Sequence, residues 1–287
     1  MNFEPPACRI HRYYNRKRNV NSATASTVPA SAANQSTTDG VAIKTLSVKA
    51  DDINIRYLET GSGSPVVILH GESGLRLSLA HQAMAAGHRL IALESPGFGK
   101  TAAHSPHSSA RAIAATLAKA LDALGIDACA VMGHSLGANV ALWMAADRPG
   151  LVSSLVLLAP AAMRPPTPGA NTSLPHNAAA HNPAHVWFAE PASTPAKASS
   201  PDPVGVAGDA CFDASLEAAM RDIAAPALAL FGTRSAIVST DAARDYVATM
   251  RKCFATMVYD AGHDIDLDRP DAVAAVTINF LQNGESF

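Results

Sequence analysis

The chain has 287 residues, 48% of them hydrophobic and 16% charged, which suits one large α/β domain or two small ones and excludes a wholly disordered chain. A formal net charge of −2 gives no global attraction to nucleic acid or acidic membranes, so neither is an expected partner. No apolar run approaches the roughly 18–20 residues of a membrane span.

Residues 1–40 differ from the rest. Arg9, Arg12, Arg16, Lys17 and Arg18 crowd together, and a Ser/Thr/Ala/Asn stretch follows to Asp39-Gly40. No apolar core follows the basic cluster, as a secretory signal would need. The expectation is a solvated, disordered tail, with a targeting segment or a mis-assigned start as the other readings. Cys8, Cys129, Cys211 and Cys253 are far apart and form no CxxC pair. They read as incidental thiols of a reducing, cytoplasmic setting, with no metal site among them.

From residue 42 a regular alternation begins. Short strand-like runs fall at Ala42–Lys49, Ile53–Glu59, Val66–Leu69, Arg89–Leu93, Ala128–Met132, Ser154–Leu158, Ala227–Phe231 and Ala255–Tyr259. The first two alternate in polarity about Asp51-Asp52, as an antiparallel edge hairpin does, whereas the later six are apolar throughout, as strands covered on both faces are. Helices fit between them. Ser108 or Ser109 can cap one whose Ile113, Leu117, Leu121 and Leu124 share a face and which Gly125 stops. Others fit Leu136–Asp147, Asp241–Arg251 and Asp271–Leu281. The pattern predicts an α/β domain over 41–287, with one eight-stranded, mostly parallel, doubly wound sheet that is antiparallel at its start. Between Pro160 and Pro203 stand ten of the nineteen prolines, with a short helix expected around Ala184–Glu190. An excursion of ~60 residues between two sheet strands is too long for an ordinary connection, so a lid is expected over about 160–222.

Chemistry concentrates at three places. Gly133-His134-Ser135-Leu136-Gly137 is a G-x-S-x-G motif between an apolar strand and a helix, the context in which a sharp turn lifts the Ser135 hydroxyl above the sheet. His70-Gly71-Glu72-Ser73-Gly74 follows another strand. There the backbone N–H of Glu72, with that of Leu136, can form an oxyanion hole, while His70 braces the loop. His263, in Asp260-Ala261-Gly262-His263-Asp264, follows the last strand and is the natural general base, since Ser, then acid, then His is the order that goes with such elbows.

With these motifs, residues 42–287 resemble the α/β-hydrolase fold superfamily. Ser95-Pro96-Gly97-Phe98-Gly99 is similar to its Pro-Gly-x-Gly turn and Tyr259–His263 to its histidine loop. The resemblance implies a serine hydrolase of esters, thioesters or C–C bonds that needs no cofactor. Ser135 disfavours the haloalkane dehalogenase and epoxide hydrolase branches, which carry aspartate at the elbow. One position departs from the pattern. Where the family places its acid, after the seventh strand, this chain has Ser235, and the alternative place, Ala159-Pro160-Ala161-Ala162, holds no carboxylate. Asp241 is the candidate substitute, with Asp264 and Glu94 behind it.

Two function classes follow. The first is a hydrolase of small, largely apolar carboxylic esters or related bonds, with Trp187 and Phe188 as an aromatic pocket wall. The second is a catalytically impaired member that binds a small molecule or a partner. The sequence is silent on oligomeric state.

Overall fold

A computed structural model of the chain describes residues 42–102, 109–160, 162, 183–189 and 214–287. The basic tail and most of the expected lid lie outside the described residues.

The sheet opens with β1 (Lys44–Ala50) and β2 (Ile53–Gly61), an antiparallel pair. Asp51 and Asp52 close it with φ of 47° and 64°, values that short polar side chains tolerate in a two-residue hairpin turn. Then come β3 (Ser64–Leu69), a three-residue β4 (Arg76–Ser78), α1 (Leu79–Ala85) and β5 (His88–Leu93). The middle of the chain supplies α2 (Ala110–Ala123), β6 (Cys129–His134), α3 (Leu136–Asp147) and β7 (Val152–Leu158). After the insertion run α4 (Ala214–Met220), β9 (Ala227–Gly232), α5 (Ala242–Thr249), β10 (Cys253–Val258), the four-residue α6 (Ile265–Asp268) and α7 (Pro270–Asn283). The insertion itself contributes β8 (Val186–Ala189).

Hydrogen bonds order the large sheet β1-β2-β5-β3-β6-β7-β9-β10, parallel from β5 onward and antiparallel at β1/β2 and β2/β5. The pleat divides each strand between two cores. Val67, Leu69, Ile91, Leu93, Val131, Leu155 and Leu157 face α2, α3, α4 and α5, while Val66, Ile68, Leu90, Ala92, Met132, Val156 and Leu158 face α1 and α7. Both faces are covered, which is why these strands are apolar throughout. α2 forms where its sequence predicts, since Ser109 Oγ accepts the Ala112 N–H at 3.2 Å and Gly125, with φ of 68°, ends it. α3 is buried from Leu136 to Ala145, so the helix behind the G-x-S-x-G motif is a core element with little freedom to shift.

One element differs from the sequence expectation. The stretch around Ala184–Glu190 is not a helix where it is described. Pro183–His185 makes a single 3-10 turn, and Val186–Ala189 forms β8, which pairs antiparallel with β4 as a separate two-stranded sheet. Val186, Trp187 and Phe188 are β-branched or aromatic, types that favour a half-buried pleated surface, and β4 offers a strand to pair with.

Candidate active site

The turn between β6 and α3 is sharp. Ser135 has φ 51° and ψ −114°, a conformation L-residues adopt only at a cost of about 1–3 kcal/mol, and its N–H donates to Leu158 O at 2.9 Å. The flanking glycines are required by close approach. A Cβ on Gly133 would lie 2.3 Å from Gly137 O, and one on Gly137 would lie 2.2 Å from Leu69 O. Gly137→Ala is therefore expected to push the helix start away from β3 and to cost about 1–3 kcal/mol, read as a fall in the urea midpoint.

His263 sits on the loop between β10 and α6, and this loop is pinned from several sides. Gly262 N donates to Asp268 Oδ2 at 2.6 Å, and Ile265 N donates to His263 O at 3.0 Å across an inverse γ-turn centred on Asp264 (φ −82°, ψ 65°). The structure brings the two predicted residues together, with His263 Nε2 3.0 Å from Ser135 Oγ. Both are buried, Ser135 at 2% exposure and His263 at 8%. With the hydroxyl donating, Nε2 is the acceptor, the direction proton removal from a serine requires.

The His70–Gly74 loop lies against this elbow. A Cβ on Gly71 would be 3.3 Å from Ser135 Cβ, so Glu72 follows directly beside the serine. Leu136 is the first residue of α3, where N–H groups have no intrahelical acceptor. His70 braces the loop. Its Nδ1 lies 2.7 Å from Gly71 O and its Nε2 accepts the Ser95 N–H at 3.0 Å, a pattern only the neutral ring satisfies. Phe98 packs edge-on against it at 4.9 Å. Burial pushes the His70 pKa below 6.5, against weaker opposing effects of the Gly71 carbonyl and nearby carboxylates. A base whose folded pKa is lowered contributes stability that is complete above its unfolded pKa and is lost as pH falls through the folded value. The melting temperature is thus expected to decline below pH 6.5, and by less in His70→Asn; equal declines in both proteins would contradict the neutral-ring assignment.

The candidate acids lie elsewhere. Ser235 Oγ accepts the N–H groups of Ile237 at 3.3 Å and Val238 at 3.1 Å, closing its own turn. Asp241 stands exposed at the N-cap of α5. Among the described residues, neither is hydrogen-bonded to His263. Glu94 is buried in a loop-organising network, accepting from Arg56 Nη1, Thr101 Oγ1 and the backbone N–H groups of Lys100 and Thr101. Asp264 pairs with Arg76 of β4.

That last pair belongs to a buried polar cluster that periodicity could not reveal. His134, the variable residue of the motif, places Nε2 3.0 Å from His263 O and 3.7 Å from Asp264 Oδ1. His81 of α1 accepts the Ser78 N–H on Nδ1 at 3.0 Å, so its ring is neutral and its 3.8 Å approach to Asp266 is a contact with a carboxylate, not an ion pair. Burial accordingly pushes the His81 pKa down. A cavity of about 20 Å³, large enough for one water, lies between this cluster and the His70–Gly74 loop.

Elsewhere the chemistry is quiet. Burial raises the Cys129 and Cys253 thiols to about 12, so neither is a thiolate nucleophile near neutral pH. Among the described residues, no group of three or more His, Cys, Asp or Glu could hold a metal ion, and no helix is long and apolar enough to cross a membrane.

Comparison with known proteins bears on the fold. Residues 64–190 match the family model described as alpha/beta hydrolase fold. Epoxide hydrolase 2 from Siraitia grosvenorii is 38% identical over 121 residues, which is 40% of this chain and 38% of that enzyme's length. Naproxen esterase (carboxylesterase NP) from Bacillus subtilis superimposes with a TM-score of 0.67 at 19% identity, covering 84% of this chain and 92% of that one. The meta-cleavage product hydrolase CumD from Pseudomonas fluorescens IP01 superimposes with a TM-score of 0.66 at 18% identity, over 83% and 97% of the two chains. At such identities the two structures establish the fold alone.

Proposed function

We propose, from the match of residues 64–190 to the alpha/beta hydrolase fold family, that the chain is a serine hydrolase of small, largely apolar carboxylic esters. The observation that carries the reading is the 3.0 Å contact between Ser135 Oγ and His263 Nε2 on a strained elbow at the start of a buried helix. Ser135 attacks the ester carbonyl as His263 Nε2 takes its proton. The oxyanion forms against the backbone N–H groups of Glu72 and Leu136, and the N-terminal end of α3 favours the negative charge. His263 then returns the proton to the departing alkoxide, leaving an acyl group on Ser135. A water deprotonated by His263 hydrolyses that acyl-enzyme and restores the serine.

Two features bear on substrate class. Trp187 and Phe188 are half-buried on β8, which is joined to β4 just after the oxyanion loop, and in this reading they are the apolar wall for the substrate. The Siraitia relative is named an epoxide hydrolase, but a hydroxyl stands at this elbow where that branch carries a carboxylate, which favours acyl transfer. The test is a panel of p-nitrophenyl esters of increasing acyl length. Saturable hydrolysis that Ser135→Ala abolishes supports the reading; a folded protein inert on every ester opposes it.

The position of Ser235 favours a second reading. Its hydroxyl oxygen closes its own turn, so the usual acid position supplies no carboxylate, which suits a weakly active member that binds a small molecule or partner. Inertness throughout the ester panel would move this reading ahead.

A further inference from the structure

Adjacent residues of the elbow grip His263 twice. Ser135 Oγ meets its ring at Nε2, and His134 Nε2 meets its backbone carbonyl, each at 3.0 Å. The two imidazole rings stand 5.0 Å apart, centroid to centroid. His263 O is an acceptor with two lone pairs, and Ile265 N–H and His134 both donate to it. Bonding to a carbonyl requires the His134 proton on Nε2, and the Asp264 carboxylate 3.7 Å away favours that tautomer.

The same side chain also faces the oxyanion loop. A Cβ on Gly71 would come within 2.8 Å of His134 Nδ1, so the loop and the ring are in direct contact. Behind the ring, Arg76 pairs with Asp264, tying the strand that follows the oxyanion loop to the residue that follows His263. His134 is thus wedged between the nucleophile, the histidine loop and the oxyanion loop, with 13% of its side chain exposed.

We propose that His134 is a positioning residue of this site, which through its Nε2–H bond to the His263 carbonyl sets the distance between the base and Ser135. The proposal rests on the serine-hydrolase reading for its kinetic consequence, but not for its geometry. The bonds from Gly262 to Asp268 and from Ile265 to His263 O hold the shape of the loop itself, whereas the His134 bond joins the His263 backbone to the elbow that carries Ser135. Misplacement of about 1 Å in such a site costs on the order of 10²-fold in rate.

Three variants test this. His134→Phe and His134→Leu remove the donor while keeping an apolar body, and His134→Gln can place an amide N–H near the position of Nε2. We expect the first two to lower kcat on the best ester by about 10- to 100-fold with KM within about twofold, and the glutamine variant to recover to within about threefold of wild type. Crystal structures give a readout independent of turnover. The Ser135 Oγ to His263 Nε2 separation should exceed about 3.5 Å without the donor and return to hydrogen-bond range with glutamine. If all three variants lose activity alike, if KM rises as kcat falls, or if the separation is unchanged without the donor, the role of His134 is packing and the proposal is wrong. Failure of the hydrolase reading looks different: wild-type Ser135 would then resist a fluorophosphonate, while the crystallographic comparison would still judge the clamp.

Discussion

Ser135→Ala is expected to lower kcat on a p-nitrophenyl ester by about 10⁴-fold or more, leaving a residue of rate from the oxyanion donors and binding. Ser135 is almost fully buried and its Oγ is the atom His263 Nε2 faces, so the substitution removes the attacking oxygen itself. KM should change little, because the hydroxyl contributes to the transition state far more than to ground-state binding. The structural cost is small as well. The Ser135 N–H bond to Leu158 O is made by the backbone and survives the substitution, although alanine bears the positive φ no more easily than serine. Steady-state kinetics and a thermal melt on the same preparation check both halves.

The second large effect concerns stability. Asp264→Ala would leave the Arg76 guanidinium in a site where the two side chains are 16% and 6% exposed, without the carboxylate it pairs with. Breaking a buried ion pair by removing one partner costs about 3–5 kcal/mol, chiefly the desolvation of the stranded charge. Urea unfolding should show this as a lower midpoint at unchanged slope. Asp122→Ala is the control. It breaks the Arg148–Asp122 bridge, whose side chains are 43% and 48% exposed, and should cost far less. The double change Arg76→Met with Asp264→Leu should recover much of the loss, since an apolar pair of similar volume carries no desolvation cost. A loss in Asp264→Ala no larger than in the control would show that water reaches Arg76.

How much of this was legible in the sequence depended on length and locality. The G-x-S-x-G elbow could be read because its strand, turn and helix are contiguous and each has a strong local signal. α2 could be read from one apolar stripe between a serine cap and a glycine stop, and the β1/β2 hairpin from its two aspartates. The strand order could not. β5 lies between β2 and β3, a pairing that hydropathy does not encode. β4, α1, β8 and α6 span three, seven, four and four residues, too few for a period to emerge. The segment at β8 was misread for that reason, since its partner β4 is far away in sequence. The cluster around His134 was hidden more deeply. Arg76 and Asp264 are separated by 188 positions and sit on elements without a sequence signature. His134 itself occupies the variable place of the motif, where the pattern asks for nothing. Only the approach of His263 O to its ring gives that residue a role.

The most direct measurement of the central claim is covalent. A fluorophosphonate reacts with a serine only when a base removes its proton and the site accommodates a tetrahedral phosphorus. The intact mass of the wild-type protein after reaction should rise by one adduct per chain, the adduct should map to the peptide that contains Ser135, and Ser135→Ala should remain unmodified. A folded wild-type protein that takes up no label, or a Ser135→Ala variant that takes up as much, would contradict the assignment of Ser135 and His263 as nucleophile and base.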